Sequence, residues 1–156
     1  MLKSVESTIT SILDYEKDIE KQASPIVIMF SDLVGSTRYK AKNPVIDGLK
    51  RVFTYCKICA NAITTNGATV VKYIGDEVMA IFTGADEALA AAITIHDVLE
   101  NLHFNPKFEC KTAIHAGEVF FFKYPEANIL DPQGTTVDLA ARIISTTKPR
   151  QILISE

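Results

Sequence analysis

The chain has 156 residues, 47% of them hydrophobic and 22% charged, which suits one globular domain able to bury roughly 70% of its unfolded surface. Sixteen basic against nineteen acidic residues give a net charge of −3, so no broad cationic surface for nucleic acid is expected. No apolar run approaches the ~20 residues of a membrane span, and Glu6, Asp14, Glu16 and Asp18 break up the N-terminal apolar positions, which excludes a signal-peptide core and leads to the expectation of a cytoplasmic protein.

In chain order, Leu2, Val5, Ile9, Ile12 and Ile19 stand three, four or seven residues apart, the spacing of an amphipathic helix over residues 2–20. Residues 1–23 are read as this N-terminal helix, packed on its own domain or serving as a dimer or input helix, and residues 24–156 as the domain proper. Ile26-Val27-Ile28-Met29-Phe30 opens a strand at 26–31. A helix at about 44–64 follows, with Asn43 as its N-cap, Pro44 at its first position, and Val45, Leu49, Val52, Phe53, Cys56, Ala60 and Ile63 as its apolar face. Asn66-Gly67 ends it. Strands at 68–73 and 77–82, joined at Ile74-Gly75, make a hairpin expected to bring Lys72 and Asp76 close together at its tip. A helix at about 85–102 and a strand at 108–115 complete β-α-β-β-α-β, an α/β (α+β) ferredoxin-like core. A strand at about 117–122, a helix at about 135–146 and a strand at 151–154 extend it.

Three cysteines cannot all pair, and Cys56 and Cys59 lack a matching second ligand pair. A small buried core pair is therefore expected rather than a zinc or redox site. His96 follows Leu89 and Ile93 on a helix face and is read as core-edge, and His115 as a structural imidazole.

The chemistry is concentrated in three blocks. Phe30-Ser31-Asp32-Leu33-Val34-Gly35-Ser36-Thr37 places Asp32 at the end of a strand, and Lys72-Tyr73-Ile74-Gly75-Asp76 places Asp76 at the start of another. An Asp after an apolar strand commonly caps a turn, but two at strand ends can hold hard cations against a triphosphate. The turn at Gly35, Ser36 and Thr37 could offer backbone N–H groups to phosphates, aided by a helix start. The third block is Asp131-Pro132-Gln133-Gly134-Thr135-Thr136-Val137-Asp138-Leu139-Ala140-Ala141-Arg142. On spacing alone, Arg142 would pair with Asp138 one helical turn away, a contact worth about 0.2–0.5 kcal/mol.

Together, in this order, the blocks resemble the class III nucleotidyl cyclases, the adenylate and guanylate cyclase family, from about Pro25 to Glu156. The resemblance implies that fold, with Asp32 and Asp76 holding two divalent ions, Mg2+ or Mn2+. It implies Lys72 and Asp131 as base-selecting groups and Arg142 as the group that stabilises charge on the reacting phosphoryl oxygens. It also implies a homodimer in which metal carboxylates and base-selecting residues of one site come from different subunits, so that Lys72 and Asp76 would serve different sites. The family's ribose-orienting Asn corresponds to Asp138, a departure, because an ionised Asp only accepts hydrogen bonds. Family members usually continue through a segment carrying a phosphate-binding Lys, so here either other groups hold the triphosphate or the chain is incomplete. Lys72 with Asp131 matches the adenine-reading pair of adenylate cyclases. The Asp-Pro-Gln-Gly segment, Asp138 and Tyr39 also look like the bacterial pyrimidine cyclases of Pycsar anti-phage defence, which make cyclic CMP or cyclic UMP. Gly75-Asp76-Glu77 faintly resembles the GGDEF diguanylate cyclases, without their second glycine. A non-enzymatic regulatory domain that binds nucleotide without turnover is the remaining alternative.

Overall fold

The structure, a computed structural model, describes residues 19–21, 25–124, 127 and 129–155. Along these the elements are β1 (Ile19–Lys21), β2 (Ile26–Leu33), α1 (Ser36–Lys42), α2 (Val45–Thr65), β3 (Thr69–Ile74), β4 (Glu77–Phe82), α3 (Ala85–Asn101), β5 (Cys110–Gly117), β6 (Phe120–Tyr124), β7 (Ile129–Gln133), α4 (Thr135–Thr146) and β8 (Ile152–Ile154). Among the described residues, the main sheet has the order β3-β4-β2-β5-β8 and a smaller one the order β1-β6-β7. β2 lies antiparallel to both β4 and β5, while β8 joins β5 in parallel. The β-α-β-β-α-β core expected from the sequence is present, with the extra strands and α4 added to it.

The unbroken apolar run of β2 follows from its central place, because both faces of the strand are covered. Val27, Met29 and Leu33 pack under α2 and α3 with Tyr55, Ile63, Ile95 and Leu99. Ile28 and Phe30 face the other way, onto Ala140 and Ile144 of α4 and Phe121 of β6. On the α2–α3 side a buried polar chain runs across the sheet. The Tyr55 hydroxyl lies 2.8 Å from Ser31 Oγ, which is 3.2 Å from Thr112 Oγ1, which is 3.1 Å from His96 Nε2. Every side chain in this chain thus has a partner, as burial in an apolar layer demands.

Several local expectations are corrected. Asn43 does not cap α2. Pro44 occupies that position, its carbonyl accepting from Asp47 and Gly48, while the Asn43 amide closes the end of α1 by donating to the Tyr39 carbonyl at 2.8 Å. The buried face of α2 is Gly48, Tyr55, Cys59, Ala62 and Ile63, whereas Val45, Leu49 and Phe53 are exposed at 75, 56 and 65%. An apolar stripe wider than one neighbouring layer can cover was read as a single face. The strands expected at 108–115 and 117–122 lie at Cys110–Gly117 and Phe120–Tyr124, and β7 was not expected at all, since Pro132 and two polar side chains mask its alternation. The helix over residues 2–20 lies outside the described residues except for Ile19 and Glu20, which belong to β1.

Cys59 and Cys110 are buried and Cys56 half-buried, all three as free thiols. Burial pushes the Cys110 thiol up to about 12, the behaviour of a core residue rather than a nucleophile. His115 Nδ1 meets the Ser155 hydroxyl, tying β5 to the segment after β8. Among the described residues no helix is long and apolar enough to cross a membrane.

Candidate active site

Asp32 is the second-to-last residue of β2, where the strand leaves the core, and Asp76 lies in the two-residue turn between β3 and β4. The turn is possible because Gly75 takes φ 66°, a left-handed conformation that costs glycine nothing. Gly35 takes φ 72° for the same reason and swings the chain from β2 into α1. The two acidic residues are held side by side by the Leu33 N–H, which donates to the Asp76 carbonyl at 3.4 Å. The Ser36 hydroxyl donates to Asp76 Oδ2, and Lys40 Nζ stands 3.8 Å from Asp76 Oδ1. Asp32, Asp76 and residues 33–38 line a cavity of about 660 Å³, together with Lys111 and Thr147.

Lys111 is directly opposite Asp32 in the β2–β5 register. Its ammonium lies 3.4 Å from Asp32 Oδ2 and donates to the Ile144 carbonyl at 3.0 Å. It puts a cation at the edge of the cavity that Asp32 lines. Sequence reasoning missed it, although a lysine between Cys110 and the apolar run Ala113-Ile114 was a usable signal. Glu77 was also missed. It pairs with Asp32 across β2 and β4, which puts a third carboxylate on the same face.

Burial, and then the negative charge of Asp76, push the Asp32 carboxyl above the usual range, with Lys111 pulling it back. Burial and Asp32 do the same to Glu77. Among the described residues, no group of three or more His, Cys, Asp or Glu side chains forms a ready-made metal cage. Asp32 and Asp76 nevertheless fit Mg2+ or Mn2+. They are hard oxygen donors in a desolvated, mutually repelling pair, and such ions are held through one or two carboxylates plus substrate phosphates.

The base-selecting candidates meet elsewhere. Lys72 Nζ donates to Asp131 Oδ1 at 2.6 Å, and Gln133 Nε2 donates to Asp131 Oδ2 at 2.7 Å. This contact depends on a bulge in β3. The pairing runs Val70 with Ala80 and then Lys72 with Met79, so one extra residue is accommodated. Without it Lys72 would oppose Val78 and point at the α2–α3 layer; with it, Lys72 points toward β7. Lys72 and Asp76 leave this hairpin toward different partners, Asp131 for the one and Ser36 and Lys40 for the other.

Asp138 and Arg142 are exposed on α4, and among the described residues no ion pair joins them. Neither lines the Asp32–Asp76 cavity. Tyr39 does not line it either. Its ring stacks under Arg51 at 4.9 Å and borders a neighbouring cavity of about 430 Å³ rich in cations, among them Arg38, Lys42 and Lys107. Within one chain the structure thus joins Asp32 with Asp76, Gly35, Ser36 and Thr37, joins Lys72 with Asp131, and leaves Asp138 and Arg142 on the surface.

The family described as adenylate and guanylate cyclase catalytic domain matches residues 19–156. A terminal-differentiation specific adenylate cyclase of Dictyostelium discoideum is 30% identical over 145 residues, covering 84% of this chain and 7% of that protein. An adenylate cyclase of Anabaena cylindrica is 29% identical over 147 residues, covering 84% of this chain and 29% of that protein. The chain therefore spans less than a third of the length of either relative. Among solved structures, the guanylate cyclase domain of RhGC from Catenaria anguillulae, in complex with GTP, superposes with a TM-score of 0.78 at 19% identity, covering 87% of this chain and 80% of that one.

Proposed function

The chain belongs to the adenylate and guanylate cyclase catalytic-domain family, and from that premise we propose that it is a nucleotidyl cyclase. The reaction joins the ribose 3′-oxygen of a nucleoside triphosphate to its own α-phosphorus, breaks the bond from that phosphorus to the β-phosphate oxygen, and releases pyrophosphate. The observation that carries this reading is the Asp32–Asp76 pair lining a cavity of about 660 Å³ together with Lys111 and the Gly35 turn.

Asp32 and Asp76 would hold two divalent cations, which would supply activation of the attacking oxygen and charge neutralisation at the leaving group. The chain's own groups position the substrate. Backbone N–H groups at Gly35, Ser36 and Thr37 point the β- and γ-phosphates into the cavity, with Lys111 as their counter-charge. Arg142 stabilises charge on the reacting phosphoryl oxygens, and Asp138 accepts from the ribose. Since both are exposed on α4, away from Asp32, they serve the cavity of a second copy, and the functional unit is a homodimer. In support, Val45, Ile46, Leu49, Phe53, Tyr73 and Ile74 leave a broad apolar face on α2 and β3 uncovered. Residues 19–156 form the catalytic unit, since β1 pairs with β6 and the family match begins at Ile19, and the cytoplasm, with its triphosphates and Mg2+, is its compartment.

Lys72 and Asp131 offer a donor beside an acceptor. Adenine and cytosine present the complementary ring nitrogen beside an exocyclic amine, while guanine and uracil present a keto oxygen beside a ring N–H. ATP is the first reading, in keeping with relatives named as adenylate cyclases, and CTP the second, because cytosine shares the amino edge. A role in Pycsar-type defence would follow only from cyclic CMP or cyclic UMP as product. Incubating the protein separately with ATP, GTP, CTP and UTP plus Mn2+, with products identified by mass spectrometry, tests the proposal. Cyclic AMP or cyclic CMP is expected. Nucleotide binding without pyrophosphate release would leave a regulatory domain instead.

A further inference from the structure

Asp131 and Gln133 stand two residues apart on β7, so their side chains share one face of that strand, with the buried Pro132 between them pointing the other way. Asp131 opposes Phe122 and Gln133 opposes Phe120 across the β6–β7 ladder, which fixes the spacing of the two side chains by backbone pairing. Each carboxylate oxygen of Asp131 has its own donor, Lys72 at 2.6 Å on Oδ1 and Gln133 at 2.7 Å on Oδ2. A carboxylate can only accept, so the Gln133 carboxamide is oriented with its nitrogen inward.

We propose that Gln133 is a positioning residue for base selection, holding Asp131 as an oriented acceptor beside the Lys72 ammonium. This rests on the cyclase reading above. An Asp with only Lys72 for company would rotate to place either or both oxygens on the ammonium, leaving none fixed toward the base. The Gln133 amide removes that freedom by engaging the far oxygen. The consequence is a rigid donor–acceptor edge that takes an amino base and turns away a keto base, because the keto base would leave the carboxylate facing a carbonyl oxygen. Lost pairings of this kind discriminate more strongly than lost contacts do.

The test measures turnover of ATP, CTP, GTP and UTP together with equilibrium binding of their 3′-deoxy analogues, which lack the attacking oxygen. Gln133→Leu removes the donor at similar volume. It should raise KM for the amino-base substrate about tenfold with kcat little changed, and narrow the preference over the keto bases by a similar factor. Gln133→Glu, nearly isosteric, replaces the donor by a second acceptor that pushes against Asp131 Oδ2. It should narrow the preference over the keto bases at least as far as Gln133→Leu does. Wild-type protein that binds all four analogues alike would overturn the base-reading assignment itself. A selective wild type with both variants folded and equally selective would overturn the role of Gln133 alone, and a fall in kcat without change in KM or selectivity would do the same.

Discussion

The two acidic centres of this chain are built in opposite ways. Asp131 is fully matched, with a cation on one oxygen and an amide on the other, as a group proposed to read a neutral base should be. Asp32 is half-buried and crowded by Asp76 and Glu77, with Lys111 at 3.4 Å as its opposing cation among the described residues, so burial and then the charge of Asp76 push its carboxyl up. A recognition site is best pre-satisfied, because it must hold one geometry while hydrogen bonds are exchanged. A metal site must be left in electrostatic debt, because the energy of relieving it is the affinity for the ion.

The largest test of this contrast removes one carboxylate from the crowded centre. Asp32→Ala or Asp76→Ala should lower turnover by at least about a thousandfold while the fold is kept, since each deletes a metal ligand at a strand end rather than a core contact. Near-normal turnover at saturating Mn2+ would sink the metal assignment. Thermal melts should sharpen the point. Asp32→Asn should raise the metal-free melting temperature near neutral pH, because ionising a carboxyl whose folded-state pKa is raised costs stability as pH climbs through that value.

The next test separates the centres from each other. Phe53, 65% exposed, is the largest side chain that α2 contributes to the uncovered apolar face. Phe53→Glu should convert a dimer to a monomer in sedimentation and reduce turnover about a hundredfold, leaving Lys72, Asp131 and the melting temperature of the monomer untouched. A fully active monomer would mean that each chain contains a whole site. Mixed dimers sharpen this further. Asp76→Ala combined with Arg142→Ala should recover up to about a quarter of wild-type turnover, as half the dimers are mixed and each keeps one of two composite sites. Absence of recovery in verified mixed dimers would argue against a shared site.

The smallest effect concerns the polar chain behind Asp32. Burial lowers the pKa of His96, whose ring lies against Thr112 and through it Ser31. A depressed folded-state pKa gives stability that is present above the unfolded value of about 6.5 and lost as pH falls through the folded value. Denaturation between pH 7.5 and 4.5 should therefore show a loss of stability that His96→Gln abolishes. An identical pH profile in that variant would show that His96 is not the titrating group.

What the sequence alone determined was local. The run Ile26–Phe30, the Pro44 entry to α2, the helix at 135–146 and the glycines at 35 and 75 each impose structure through spacing or backbone freedom within a few residues. They were legible for that reason, as was the identity of Asp32 and Asp76 as a strand-end pair. Tertiary structure decided the rest. Whether Lys72 meets Asp131 depends on a one-residue bulge that reverses which face of β3 it occupies, and no residue at 70–72 announces a bulge. Lys111, Glu77 and Gln133 became site residues only when register set them beside Asp32 and Asp131. The apolar positions of α2 divided into a buried and an exposed face only once α3 and the sheet had covered one side. Periodicity reports that a face is apolar; which neighbour covers it is fixed by packing between segments far apart in the chain.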